Sequence, residues 1–227
     1  MKIAIDGPGG SGKSALAKNL ARNLGLIYVD TGALYRTIGL YISQRGIDKN
    51  DIKSIISVLY NIKIELIYID GAQHVLLSGD DVSDKIRTPD ISMYASAVSA
   101  IPEVREFLLT LQRDYAMRGN VVMDGRDIGT VIMPDADVKI FLFASPRDRA
   151  QRRYEELINK GNDVLFDDVL SDIIKRDEAD RTRSTSPAVP AADAVMLDNS
   201  GFYEADTYTA AIKIINDKTG ASYSDVL

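Results

Sequence analysis

Cysteine is absent from this chain, and histidine occurs once, at His74. The lack of cysteine rules out a disulfide framework and a thiolate metal site, and fits a reducing compartment. With only one histidine, a His-based metal centre is excluded as well. Long apolar runs are also missing: no stretch approaches the roughly 20 residues that span a bilayer. The chain enters an apolar strand at Lys2–Ile5, so no signal peptide is expected and the cytoplasm is the expected compartment. Excess positive charge is lacking too. A formal charge of −6 over 227 residues argues against a general nucleic-acid binder, which needs a basic surface to neutralise phosphates. The rest is ordinary globular composition, 45% apolar, in a chain long enough for one core and a small insertion.

One dense motif stands against these absences. After Lys2–Ile5 comes Gly7-Pro8-Gly9-Gly10-Ser11-Gly12-Lys13-Ser14, then the helix former ALAKNLARNL. Gly, four residues and Gly-Lys-Ser is the phosphate-loop pattern, and the strand and helix it demands flank it. Gly7, Gly9, Gly10 and Gly12 let the backbone turn successive N–H groups inward, and Ser11 lies among them. These donors and the helix N-terminus hold an anion. Lys13 can reach the β- and γ-phosphates, and Ser14 can offer its hydroxyl directly to Mg2+. A glycine-rich turn that merely starts a helix is the bland alternative; the joint presence of motif and context disfavours it.

Further along, Leu26–Val29 is expected as a strand ending at Asp30-Thr31-Gly32, and helical spacing follows from Ala33 to Gln44. Asp51–Tyr60 suggests a short helix with Ile52, Ile55, Ile56 and Leu59 inward. The texture changes over residues 62–82, where alternation and a Gly-containing loop predict a β-hairpin grafted on the core, with His74 as an exposed loop residue. Ile86–Ala100 repeats loosely like a helix interrupted at Pro89, and Pro102 begins a stronger helix closed by Gly119. Strands are expected at Val121–Met123, Val138–Phe143 and Ala194–Leu197. Charged helices are expected from Arg147 to Asn159 and from Phe166 to Arg181, a closing helix over Glu204–Ile215, and a frayed tail from Lys218 to Leu227. Short apolar strands alternating with helices predict an α/β fold, an open parallel sheet with helices on both faces. The expected divisions are core at 1–34, 106–146 and 185–227, a hairpin-bearing region at 35–105, and an arginine-rich helical lid at 147–184.

Three other constellations suit phosphate chemistry. Thr31 and Arg36 lie just past a strand end, where open parallel sheets bind ligands. A plain Asp/Thr helix cap followed by a solvated arginine accounts for the same residues; a second bound anion separates the two readings. Asp124-Gly125-Arg126-Asp127 follows another strand, with Asp124 placed to hold a magnesium shell through water. Arg147, Arg149, Arg152, Arg153, Arg176, Arg181 and Arg183 crowd the two charged helices, with Arg176, Asp180 and Arg183 on one face. A solvated, salt-bridged helix is the common explanation of such runs. Planar bidentate donors are also what phosphoryl transfer calls for, in a flap that excludes water. No histidine or cysteine is placed as a base. That fits an acceptor that is itself a phosphate, largely ionised near pH 7 because its second pKa is about 6. A hydroxyl acceptor would need a carboxylate such as Asp30 or Asp127.

Taken together, IDGPGGSGKS, DTGALYR, the hairpin followed by IRTPDIS, VREFLLTLQR, DGRDIGTVIMPDADVKIFL, RDEADRTR and PAVPAADAVMLD resemble the bacterial cytidylate kinases, from Met1 to about Ile215. The resemblance implies a phosphate-loop nucleoside-monophosphate kinase fold with a hairpin-bearing monophosphate-binding insertion. It implies transfer of the γ-phosphoryl of ATP to CMP or dCMP with Mg2+, and a monomer whose partners are these nucleotides, with no nucleic acid or membrane. It places Lys13 and Ser14 on ATP and magnesium, and Thr31, Arg36 and Arg126 on the CMP phosphate. Ser96, Arg105 and Asp127 fall where the family reads cytosine, and Arg176 and Asp180 where it meets ribose. Arg183, with Arg152 or Arg153, would stabilise the transferring group, and Asp198-Asn199-Ser200 resembles the segment that meets adenine. The rival readings are a kinase for another small acceptor such as UMP or AMP and, in a different class, a nucleotide-dependent switch or interaction protein. A guanine switch should carry an Asn-Lys-x-Asp-type segment, and Val138–Pro146 has none.

Overall fold

Lys2–Asp6 forms β1, buried from Ile3 onward, and the chain leaves it through Gly7. The departure is sterically committed: a Cβ on Gly7, at φ +146, would sit 1.9 Å from the Leu142 carbonyl oxygen. The glycine-rich loop then feeds α1 (Lys13–Leu24), capped at its end by Gly25 in the left-handed region. The computed structural model describes residues 1–224 of the chain. The chain folds as two compact units: residues 1–27 with those from Gly119 onward, and Tyr28–Arg118. The second unit encloses the hairpin-bearing region expected at 35–105 and extends beyond it on both sides.

In the first unit, β6 (Val121–Gly125), β7 (Val138–Phe143) and β8 (Val195–Asp198) run parallel to β1. Five strands make the sheet in the order β2-β6-β1-β7-β8, with β2 spanning Ile27–Asp30. Chain order reverses around β1, so the loop after Asp6 opens at a topological switch point, where such sheets bind ligands. α1 and α8 (Glu204–Thr219) lie against each other and against β6 and β7 respectively. Ile3, Ile5, Leu20, Met123 and Tyr208 are fully buried between these layers. α6 (Pro146–Asn159) and α7 (Phe166–Thr182) pair with one another as the arginine-bearing helices. The expected open parallel α/β sheet is the one found, and among the described residues no helix is long and apolar enough to cross a membrane.

The second unit is built from α2 (Thr31–Gln44), α3 (Ile52–Val58), α4 (Pro89–Val98), α5 (Pro102–Met117) and a small antiparallel sheet. α2 and α4 approach closely at Gly39, where a Cβ would meet Tyr94 Cβ at 3.0 Å. The sheet has three strands rather than a single hairpin: β3 (Ile64–Ile69), β4 (Ala72–Leu77) and β5 (Asp80–Asp81). Both turns are two residues long, Asp70-Gly71 and Ser78-Gly79, with positive φ throughout, as type I′ turns require. The first turn is shorter than the expected loop, so His74 falls inside β4 opposite Ile67, half-buried, its Nδ1 2.7 Å from the Asp81 carboxylate.

Other expectations are corrected as well. Pro89 starts α4 at its first turn instead of interrupting it, with Thr88 as the cap. Ile52, expected inward, is exposed because α3 begins there. Lys218 and Thr219 are helical, and Tyr223 is pinned by two hydrogen bonds to Asn216, so the tail is ordered that far. The remainder of the expected frayed tail, residues 225–227, lies outside the described residues. After β6, residues 128–132 make a turn of i→i+5 bonds, from Ile132 to Asp127 and from Met133 to Ile128, which no sequence period announced.

Candidate active site

In the first unit the phosphate loop is held from several sides. Lys13 is buried, and its Nζ donates to the Pro8 carbonyl at 2.6 Å and lies 3.3 Å from Ser11 Oγ. Burial first, and Arg126 second, hold the Lys13 ammonium well below the usual lysine range; Asp124 and Asp6 oppose them. An anionic phosphate brought to this lysine therefore relieves a charge that the fold has already dehydrated. Ser14 Oγ donates to Asp124 Oδ2 at 2.7 Å, which joins a hydroxyl from the start of α1 to a carboxylate at the end of β6. Hard oxygen donors of this type suit magnesium, which takes one or two protein oxygens and completes its shell with phosphates and water. Among the described residues there is no group of three or more acidic, histidine or cysteine side chains that could hold a metal unaided.

Arg126 leans over the loop, with its Nη2 3.4 Å from where a Cβ on Gly9 would stand, and its Nε donates to Asp180 Oδ2 at 3.0 Å. Asp180 also lies 3.6 Å from Arg183 Nη1, and Arg183 Nε donates to the Ser186 carbonyl. Burial pushes the Asp180 carboxyl up, but Arg126 and Arg176, with Arg183 behind them, pull harder and leave its pKa lowered. Arg126, Arg176, Asp180 and Arg183 thus form one charge network, and Lys13 feels two of its members. Arg152 is brought to the loop by a relay: its Nη2 donates to the Asn199 carbonyl, and Asn199 Nδ2 donates to the Ser11 carbonyl. Arg153 is not brought there; it pairs with Glu156 on the surface of α6.

In the second unit, Asp30 caps α2 by accepting from the Ala33 N–H, and its other oxygen takes Arg36 at 2.7 Å, with Arg87 3.8 Å away. Of the plain reading of this segment, the helix cap is found at Asp30, and Arg36 is ion-paired rather than solvated. With its oxygens so engaged, Asp30 is poorly placed to act as a base. Thr31 is buried at the first residue of α2. Arg105 is buried on α5, its Nη1 donating to the Ser99 carbonyl while its guanidinium lies 5.4 Å from the Tyr35 ring centre. Ser99 Oγ in turn donates to the Ser96 carbonyl, so Ser96 and Arg105 share one cluster. Asp127 is buried in the first unit, at the head of the i→i+5 turn.

A family model described as cytidylate kinase matches residues 3–217. The chain belongs to the cytidylate kinase family. Proteins named cytidylate kinase resemble it at 49% identity in Caldicellulosiruptor saccharolyticus, over 88% of each chain. The figure is 48% over 96% of each chain in Caldanaerobacter subterraneus subsp. tengcongensis. It is 45% in Carboxydothermus hydrogenoformans, over 96% of this chain and 98% of that one. An uncharacterized protein of known structure from Eubacterium ventriosum aligns over 96% of this chain and 98% of its own at a TM-score of 0.52 and 13% identity, a likeness of fold alone.

Three residues have supporting contacts that the sequence did not announce. Arg149, 2% exposed, donates from Nε to the Ala144 carbonyl, from Nη1 to the Gly9 carbonyl, and from both terminal nitrogens to Asp177 on α7. Asn199 is buried too, and a cavity of about 210 Å³ lies beside it, lined by Gly12, Arg152, Phe202, Tyr203 and Thr207 among others. Gln73, on β4, accepts from the Asp30 N–H, so the small sheet braces the segment that carries Thr31 and Arg36. Of these, Arg149 left a trace in the sequence as one member of the arginine cluster and Asn199 as part of Asp198-Asn199-Ser200, whereas Gln73 left none.

Proposed function

We propose that this chain transfers the γ-phosphoryl group of ATP to the phosphate of CMP or dCMP, giving ADP and CDP or dCDP. The observation that carries the reading is the network around the phosphate loop: a dehydrated Lys13, Arg126 over Gly9, and Arg176, Asp180 and Arg183 tied to Arg126. Such a site concentrates positive charge where a metaphosphate-like group passes between two anions, and alignment with charge stabilisation is most of the catalysis that phosphoryl transfer needs.

The donor phosphates lie on the N–H groups of residues 7–14, with Lys13 on the terminal phosphates. Ser14 directly, and Asp124 through water, would hold magnesium, which would supply neutralisation of the phosphate charge. The cavity beside Asn199 takes the donor's base. Thr31, Arg36 and Arg126 take the acceptor phosphate. Ser96, Arg105 and Asp127 read cytosine, whose N4 amine donates to a carboxylate while O2 and N3 accept. Arg176 and Asp180 meet the ribose. Arg183 and Arg152 stabilise the transferring group, and Arg153 joins them only by leaving Glu156. The acceptor oxygen is already ionised near pH 7, with a second pKa of about 6, so no protein base is required.

An ADP-release assay across CMP, dCMP, UMP, AMP and GMP, repeated with Asp127→Ala, tests this. CMP and dCMP should lead, and the variant should lose cytosine preference more than it loses basal ATP turnover. Equal rates with every acceptor would sink the base-reading roles.

A further inference from the structure

We propose that Asp6 is a positioning residue for the acceptor side of the reaction, clamping the backbone that carries Arg126 and Asp127 to the strand that launches the phosphate loop. This rests on the reading of Asp127 as a cytosine contact. Asp6 is the last residue of β1, one position before Gly7, and is 4% exposed. Its two carboxylate oxygens accept separately from the N–H groups of Ile128 and Gly129, each at 2.7 Å. These amides begin the i→i+5 turn that Asp127 heads, and the Asp127 carbonyl accepts from Val131 and Ile132 within it. The segment 125–129 is therefore gripped immediately after its two chemical residues, and gripped by the same strand whose next residues hold the donor.

The residue type follows from the geometry. Two adjacent donors need two acceptors on one short side chain, and only an ionised carboxylate of aspartate length supplies both. Asparagine would offer one acceptor and set an NH2 group against the other amide. The anion is kept despite dehydration that favours its neutral form. Gly129 belongs to the same device: a Cβ there would stand 3.3 Å from Asp6 Oδ2 and 3.2 Å from Lys139 Cδ. Asp6 touches neither nucleotide in the roles assigned above, and its charge also acts on Lys13.

Steady-state kinetics of the full chain with CMP, UMP and ATP varied in turn test the clamp, using Asp6→Asn, Gly129→Ala and Asp127→Asn. Asp6→Asn should raise KM for CMP about ten-fold or more and narrow the CMP-over-UMP preference, because small misplacement of a contact group is expensive. Its KM for ATP should change less than about two-fold, within the scatter expected of a site it does not touch. Gly129→Ala, which keeps the charge but crowds the carboxylate, should move the same parameters in the same direction, and it carries the test if Asp6→Asn does not fold. A purely structural role would lower thermal stability and leave both KM values and the preference as in the parent protein; that result overturns the clamp. If Asp127→Asn abolishes the cytosine preference while the two clamp variants keep it, the clamp falls and the base reading stands. If Asp127→Asn keeps the preference, the base reading falls and takes the clamp with it.

Discussion

Asp6 also has a signature in stability, because burial pushes its pKa up to about 6 from 3.8, against the pull of the Gly129 and Ile128 amides. Asp127 adds to the rise and Lys13 opposes it, while Lys139 approaches the same place along Gly129. A folded-state pKa above the ordinary value means that the folded chain holds this proton more tightly than the unfolded chain does. The stability from this group is thus fully present below about pH 4 and is lost as pH rises to about 6, a change on the order of 3 kcal/mol. Urea unfolding at intervals from pH 4 to 7 should show that fall in the parent protein and a correspondingly flatter curve in Asp6→Asn. Identical pH dependence in the two proteins would mean that Asp6 does not titrate in this window. Lys13 makes a second case at this scale. Its ammonium is dehydrated and faces Arg126, so its interaction with phosphate is strongest when charge builds on the transferring group. Lys13→Met should lower kcat by about 10²–10³, the usual loss for one stabilising donor, with KM for CMP little changed; a kcat within a few-fold of the parent would contradict the role.

At the scale of elements, Arg149 on α6 reaches three places: the phosphate loop at Gly9, the connection after β7 at Ala144, and α7 at Asp177. Arg149→Ala should therefore do two things at once. It should destabilise the protein by roughly 2–4 kcal/mol, somewhat under the full loss for a buried pair because Asp177 is partly exposed. It should also raise KM for ATP, since the Gly9 carbonyl loses its anchor. Asp177→Asn should destabilise less and leave KM for ATP close to the parent, and denaturation with parallel kinetics separates the two effects. The same residue shows where the sequence stopped being legible. The strands, α1 and the loop were readable because each is announced locally, by an apolar run, a 3.6-residue repeat or a glycine at a turn. Arg149, Asn199 and Asp6 reach backbone groups at Gly9, Ser11 and Ile128, 140, 188 and 122 positions away in the chain, and no local period encodes such a partner. Pro89 misled for a related reason: the same ring ends one helix and begins another, and only the neighbouring Thr88 cap decides which. The i→i+5 turn at 128–132 likewise has no pattern of its own; the Asp6 carboxylate that holds it comes from the far end of the sequence.

Across the whole molecule, the residues proposed for the donor all belong to one compact unit, whereas those proposed for the acceptor are divided in sequence between the two. The loop, Lys13 and Asn199 belong to the unit built around β1, as do Arg126, Asp127, Arg176 and Asp180 from the acceptor's set, whereas Thr31, Arg36, Ser96 and Arg105 belong to Tyr28–Arg118. Motif recognition found both sets, because each is a cluster of unusual residue types at strand or helix ends. The contacts beneath them, Gln73 to Asp30 and Asn199 to Ser11, were silent in the sequence. If each set serves its own nucleotide, damage to one should leave the other's affinity intact. Arg36→Ala removes a guanidinium whose charge-assisted bonds to a phosphate are worth about 1.5–3 kcal/mol each, so KM for CMP should rise at least ten-fold while KM for ATP stays put. Asn199→Ala withdraws the donor to the Ser11 carbonyl and opens the cavity beside it, so KM for ATP should rise several-fold while KM for CMP stays put. Titration calorimetry of each nucleotide alone on the two variants reads the same crossing without turnover. Should Arg36→Ala weaken ATP as much as CMP, the two nucleotides do not bind independently, and the residues assigned to donor and acceptor would have to be drawn as a single site.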